Sequence, residues 1–153
     1  TESHHDRQAR LMPIRPELRW YYPIDWKQLS RSIRFGRAGG RCETCARPHG
    51  ETVTCLPGGR WLDEAAGHWR NGTGRRAARP TASELAAART TRVVLAAAHL
   101  DHDVAHNHPR NLRCLCQRCH IMHDRPYHLA QRWLTYRGRL AMGDLLDGPY
   151  WPR

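Results

Sequence analysis

The chain has 153 residues, enough for one domain or one domain with arms. Lys and Arg number 25 against 14 acids, a formal charge of +11 carried almost wholly by arginine, and this points to a polyanionic partner, nucleic acid first. No run approaches the roughly 18 apolar residues of a membrane span, and the opening T-E-S-H-H-D-R lacks the apolar segment of a secretory signal, so a soluble protein of a reducing cytoplasm is expected rather than a secreted disulfide scaffold.

Apolar residues make up 40% of the chain, but Phe occurs once and long apolar runs are scarce. The core is therefore expected to be small, with a bound metal carrying part of the folding free energy. Residues 1–12 read as a flexible lead. Pro13, Pro16 and Pro23 punctuate a stretch around Trp20-Tyr21-Tyr22 that is expected to pack in extended form, which makes 1–24 an extended N-terminal arm. Asp25 is placed to cap a helix, with Gln28 at its third position as in a capping box. That helix is expected to run from Trp26 to Phe35 or Arg37 and to stop at Gly39-Gly40. Its inner side would carry Trp26, Leu29, Ile33 and Ser30. Lys27, Arg31, Arg34 and Arg37 would face elsewhere, where they can track a phosphate backbone or simply be solvated.

Cys42-Glu43-Thr44-Cys45 follows, a C-x-x-C behind two glycines that permit a tight turn. Glu51–Leu56 alternates as a short strand does, and Pro57-Gly58-Gly59 closes it. The segment 60–91 is the hardest to read. It opens on Trp61 and Leu62 and becomes Gly- and Arg-rich around Arg75 and Arg76, a basic middle that can touch nucleic acid or simply be mobile. It ends in 80–88, which reads either as a brief helix or as an ordered loop between strands. Val93–Ala98 is an apolar strand leading into His99. A loop through Asn107, His108 and Pro109 leads to a second short strand, Leu112–Leu115. A helix is expected from about Gln117, with His120 and Asp124 on one face. Pro126 is expected to interrupt it, and a last helix from Tyr127 to Leu146 would align Leu129, Trp133, Tyr136, Leu140 and Leu145. Arg132 and Arg137 would be left for solvent or phosphate.

Two kinds of chemistry are concentrated between Ala98 and Asp124. Cys116 and Cys119 form a second C-x-x-C, 71 positions after Cys45. Four thiolates from two such turns make a closed tetrahedral zinc site with a structural role. Cys114, on the face of Leu112 in a short strand, reads as a core residue; Cys55 is the spare thiol able to replace one of the four. The surrounding His, Asp and Asn side chains suit a divalent ion and a general base instead.

A strand ending in His, a loop, Asn-Leu, a short strand and then Cys-x-x-Cys-His on a helix resembles the HNH endonuclease family, in particular its small zinc-stapled members from bacteria and phages. The resemblance implies an α+β fold: a ββα-metal finger stapled by a four-cysteine zinc site, with flanking N- and C-terminal helices. The nuclease domain would span 25–128 with an insertion at 60–91, followed by a C-terminal helix and tail at 129–153. It implies His99 as general base, Asn111 as the residue that fixes the loop, and His120 as a ligand of the catalytic ion. That ion would be Mg²⁺ or Mn²⁺, or another divalent such as Ni²⁺ or Zn²⁺, with Asp124 as a further contact. Double-stranded DNA would be the substrate, cut in a bacterial or phage-host cytoplasm to leave 5′-phosphate and 3′-hydroxyl ends. Many members have Asp directly before the first His; here that position is Ala98, and Asp101 or His102 is close enough to replace it. A zinc-containing DNA-binding protein without catalysis is the competing reading, since its arginines, zinc and aromatic residues would look the same.

Overall fold

The computed structural model describes residues 16–147, apart from the side chains of Glu17 and of 142–147. The expected lead at 1–12, most of the proline-punctuated stretch before Pro16 and the end of the C-terminal tail lie outside the described residues, as does the side chain of Leu145. Short strands, several short helices and one long C-terminal helix build a mixed α+β fold around two antiparallel sheets.

The first described element is a 3-10 helix, Pro16–Tyr21, and not the expected extended segment. Proline's fixed φ suits the first position of such a turn. Trp20 and Ile24 are almost fully exposed, and Tyr22 packs inward, edge-on to Trp26 and His99. Helix α1, Trp26–Arg31, continues without a break into a π-helical turn, Ser32–Arg37. Ile33 and Ser30 are buried on its inner side as the spacing predicts. The expected capping box does not form: Asp25 has φ −89° and ψ 15°, outside the extended geometry that lets a capping side chain reach back to the helix. Gly39 and Gly40, both with left-handed φ, then turn the chain toward Cys42.

Strand β1, Thr52–Cys55, and a 3-10 turn at Pro57–Gly59 match the sequence reading. The segment 60–91 does not hang off the body. It forms the hairpin β2 (Trp61–Asp63) and β3 (His68–Arg70), then the one-turn helix α2 (Ala82–Ala86), then β4 (Arg89–Arg92). Together with β1 these give a four-stranded sheet in the order β3-β2-β1-β4. Strands of three residues are too short to show a period, which is why the sequence leaves this sheet unread. Thr81 and Glu84 close a reciprocal capping box at α2, and Glu84 also pairs with Arg60.

The second sheet is a two-stranded antiparallel pair, β5 (Leu95–His99) and β6 (Leu112–Cys116), with His99 opposite Leu112 and Ala97 opposite Cys114. Leu112, Cys114 and Cys116 point into the core while Arg113 is exposed. Helix α3, Gln117–Asp147, begins on the residue after β6. It continues through Pro126, contrary to the expected break. The proline ring frees only the carbonyl one turn earlier, on a stretch that is exposed to water and so can be hydrated. Leu129, Trp133, Tyr136 and Leu140 all stay about half exposed on this helix.

The core joins Ile33, Val53, Trp61, Val93, Leu95, Ala98, Leu112 and Leu115 to five buried cysteines. It is small, and sulfur occupies its centre. No helix among the described residues is long and apolar enough to cross a membrane.

Candidate functional site

Cys42, Cys45, Cys116 and Cys119 are all buried and bring their four sulfurs within 4.8 Å of one another, a cluster that can hold a zinc ion. Cys45 Sγ lies 3.5 Å from Cys116 Sγ, close to the roughly 3.8 Å that two sulfurs span across a tetrahedral zinc with about 2.3 Å bonds. Local backbone bonds shape the first turn: the amide of Ala46 donates to Cys42 O at 2.8 Å, and Ala46 takes a left-handed φ of 65°. Its position is fixed by β6. Glu43 N donates to Cys114 O at 2.9 Å, and Cys114 N donates back to Glu43 Oε2 at 2.6 Å. Arg37 holds the same carboxylate with two bonds of 2.9 and 2.8 Å. The second turn begins at the end of β6, where Cys116 N donates to Cys42 Sγ at 3.3 Å. Trp61, fully buried, donates its indole N–H to Cys45 O at 3.1 Å and ties the four-stranded sheet to the cluster.

Cys114 and Cys55 stand outside this set, as the sequence suggests. Burial pushes the Cys114 thiol up to about 12, so it is a protonated core residue. Within the set, sulfur-to-sulfur hydrogen bonds hold Cys42 well below the ordinary thiol range, the bond from Cys116 being the strongest. Arg47 is the residue here that the sequence reading passed over. It is 3% exposed, yet its guanidinium reaches Cys45 Sγ at 3.5 Å, Cys116 Sγ at 4.0 Å, Cys55 Sγ at 3.7 Å and Gly59 O at 3.1 Å. Burial alone would lower its pKa; electrostatic attraction to Cys45, Cys55 and Cys116 outweighs burial and raises it. Four thiolates on a Zn²⁺ ion would carry a net −2, and Arg47 is placed to neutralise part of it from inside the core.

The second group of side chains surrounds the β5–β6 connection and the start of α3. His99 ends β5, is 8% exposed, stacks on Trp26 at 5.4 Å and meets Tyr22 edge-on. Its Nε2 is 2.9 Å from Asn107 Oδ1. The Asn107 amide nitrogen donates to Tyr21 O, Val104 O and Ala105 O, which fixes that oxygen as the acceptor. In the neutral ring this bond places the proton on Nε2 and leaves the lone pair on Nδ1.

Asn111 is buried and its side-chain amide donates to Asp101 Oδ1 and His106 O, both at 2.8 Å, while its backbone carbonyl accepts from Leu100 N. It braces the loop through these bonds. Asp101 is absorbed by the same loop: its other oxygen lies 2.6 Å from His106 Nδ1, and Asp103 N donates to Oδ1. These bonds, Asn111 first and His106 next, hold its carboxyl well below the usual carboxylate range.

His102, in left-handed backbone with φ 62°, turns instead toward α3. Its Nδ1 lies 3.5 Å from Asp124 Oδ1, and its ring stacks on those of His123 and Tyr127 at 4.7 and 4.4 Å. The other oxygen of Asp124 is 3.2 Å from His120 Nε2. His120 Nδ1 is buried without a hydrogen-bond partner, and burial lowers the pKa of this ring. His102, His123 and Asp124 can present one ligand atom each within 4.8 Å of one another. His123 had no assigned role in the sequence. The signal lay in its spacing, three positions after His120 and beside Asp124 on one helix.

Of the arginines expected at phosphate, Arg34 and Arg37 already have protein partners: Arg34 donates to Ser30 O and Leu95 O, and Arg37 to Glu43, Pro109 O and Leu112 O. Lys27, Arg31, Arg75, Arg76, Arg132 and Arg137 are exposed, Arg137 lying over the Trp133 ring. Comparison with protein-family models, with curated proteins and with solved structures finds no match. The class that the residues themselves define is an α+β domain with a buried four-cysteine cluster able to hold zinc.

Proposed function

We propose that the chain is a metal-dependent DNA endonuclease or nickase of HNH type, hydrolysing phosphodiester bonds with His99 as general base and one divalent ion. The observation that carries the reading is the junction of β5 with α3. His99 ends the first strand of an antiparallel pair, and its carbonyl lies 3.3 Å from His123 Nε2, on the helix that bears His120 and Asp124. A base beside metal-capable side chains is the arrangement that such a reaction needs.

Phosphodiester hydrolysis needs an activated water and relief of charge on the phosphate and the leaving oxygen. The bond from His99 Nε2 to Asn107 Oδ1 supports an imidazole whose Nδ1 takes the proton of the attacking water while Asn107 stabilises the resulting cation. Asn111 moves no proton; it keeps the loop between the strands in place. A divalent ion near Asp124 would supply Lewis-acid stabilisation of the developing charge. Exposed arginines on a chain of +11 supply the attraction for the DNA backbone.

A non-catalytic zinc DNA-binding protein is the second reading, favoured by the arginines that stay exposed, Arg31, Arg75, Arg76, Arg132 and Arg137 among them. Supercoiled plasmid with Mg²⁺ or Mn²⁺ separates the two. Conversion to nicked or linear DNA, abolished by EDTA and reduced roughly 10²-fold or more in His99→Ala, supports the nuclease. His120→Ala is also expected to lose activity, partly recovered by raised Mn²⁺, whereas His99→Ala is not recovered. A folded, zinc-replete His99→Ala protein that cuts at the wild-type rate refutes the assignment.

A further inference from the structure

We infer that His102, His123 and Asp124 form a second metal site, built for a borderline first-row ion such as Zn²⁺, Co²⁺ or Mn²⁺ in preference to Mg²⁺, with His120 orienting Asp124 from behind. The inference deepens the nuclease reading by naming the ligands of its ion, and the metal chemistry is testable without DNA.

Two donors on one ion at roughly 2.1 Å bonds and a tetrahedral angle stand about 3.4 Å apart. His102 Nδ1 and Asp124 Oδ1 are 3.5 Å apart. The third ligand is prepared in the way metal-binding histidines usually are, by a bond from the ring nitrogen that does not face the ion. His123 Nε2 can only donate to a carbonyl oxygen, here His99 O at 3.3 Å, so in the neutral ring that binds a metal the lone pair is on Nδ1. Asp124 is prepared likewise: Oδ2 lies 3.2 Å from His120 Nε2, leaving Oδ1 toward His102. The left-handed backbone of His102, a conformation that costs a non-glycine residue energy, turns that ring onto the helix, where Tyr127 stacks on it. Asp101 is not available to this ion, since both its oxygens are taken within the loop.

Two imidazoles and one carboxylate favour borderline ions over Mg²⁺, which prefers oxygen ligands and retains its water. All three ligands are half-buried, with 21% of the His102 and Asp124 side chains exposed. The group is thus reachable from solvent, as a reacting phosphate would need. The site also shares a residue contact with the base: the ring that binds the ion is bonded to the backbone of His99.

The experiment is a Co²⁺ titration of the full chain with its four-cysteine site already filled by zinc, followed by visible absorption and by isothermal titration calorimetry. One further equivalent of Co²⁺ is expected, with weak ligand-field bands and no intense sulfur-to-metal charge-transfer band. His123→Ala is expected to lose that equivalent while keeping its zinc, circular dichroism and melting temperature. His120→Gln is expected to retain it with roughly 10- to 100-fold weaker affinity. Mg²⁺ at equal concentration is expected not to displace it. A wild-type protein that takes up no second Co²⁺, a folded His123→Ala protein that binds Co²⁺ as well as wild type, or displacement by equimolar Mg²⁺ overturns the proposal. Plasmid cleavage that proceeds equally in His123→Ala would sink this ligand set and leave the nuclease reading standing. Co²⁺ binding in a protein that never cuts DNA would do the reverse.

Discussion

Arg47→Met is the substitution that most directly tests how the core is held together. The side chain is 3% exposed and its guanidinium faces three sulfurs at 3.5, 4.0 and 3.7 Å and a carbonyl at 3.1 Å. Methionine has a similar volume, so the packing against Trp61 is largely kept and the change isolates the charge. Replacing both members of a buried ion pair can be neutral, but here the thiolates remain. Breaking one side of such a pair costs about 3–5 kcal/mol. In a chain of this length each kcal/mol moves the melting temperature by roughly 2–4 °C, so a fall of roughly 10 °C is expected for the zinc-loaded protein. Zinc release to a chromogenic chelator is expected to accelerate in parallel, because the net −2 of the centre loses its counter-charge, and Arg47→Lys is expected to recover part of the loss. A zinc-loaded Arg47→Met protein melting within about 2 °C of wild type, with unchanged release kinetics, would show that the guanidinium is only a packing group.

Cys119→Ser is expected to lose zinc and to unfold or aggregate, since metal binding is coupled to folding; Cys114→Ser and Cys55→Ser are expected to keep one zinc by elemental analysis, and a zinc-free Cys114→Ser protein would contradict the ligand set. Affinity for a short duplex is expected to fall steeply as salt rises, and a log-log slope near zero by fluorescence anisotropy would mean the +11 charge serves something other than a phosphate backbone. Asp101 is held ionised by Asn111 and His106, so its contribution to loop order is fully present above the ordinary carboxylate value and is lost only as pH falls through its depressed one. Asn111→Ala is expected to move that loss to higher pH, read as the Asp101 and His106 side-chain shifts by NMR, and identical titrations in both proteins would refute the brace.

What the sequence shows and what it hides divides along the range of the interactions. The cysteine spacing, the strand into His99 and the inward side of α1 are local patterns, and they are legible because two thiolates in a C-x-x-C or residues at helical spacing meet whatever the rest of the chain does. Trp61 and Arg47 are different. Trp61 reaches Cys45 across 16 positions and Arg47 reaches Cys116 across 69, and no periodicity announces either. Arg34 and Arg37 show the same limit from the other side. As arginines on a helix they look like phosphate ligands, yet carbonyls of β5 and β6 and of the loop before β6 take up their donors. Pro126 misleads for a physical reason: a proline in a helix removes one hydrogen bond and crowds the preceding turn, and on this exposed stretch water can replace the bond that is lost. Tyr22 and Trp26, which wall in His99, belong to a stretch whose sequence reads only as aromatic and basic.

The packing around His99 bears on what the domain is for. A passive DNA-binding surface needs arginines that are free and exposed, and Arg31, Arg75, Arg76, Arg132 and Arg137 answer that need without any histidine. It gains nothing from an imidazole held by an indole face, a tyrosine edge and a side-chain amide that selects one tautomer. Nor does it require three further imidazoles and a carboxylate in contact with one another a turn away. Ordering those groups costs side-chain entropy and desolvation, and the buried four-cysteine cluster already joins the core. The cost has a purpose if a proton is to leave water at His99 Nδ1 while an ion at Asp124 holds the phosphate. On that argument the four-cysteine centre makes the small core rigid, and the histidine-rich surface beside it is where chemistry would occur.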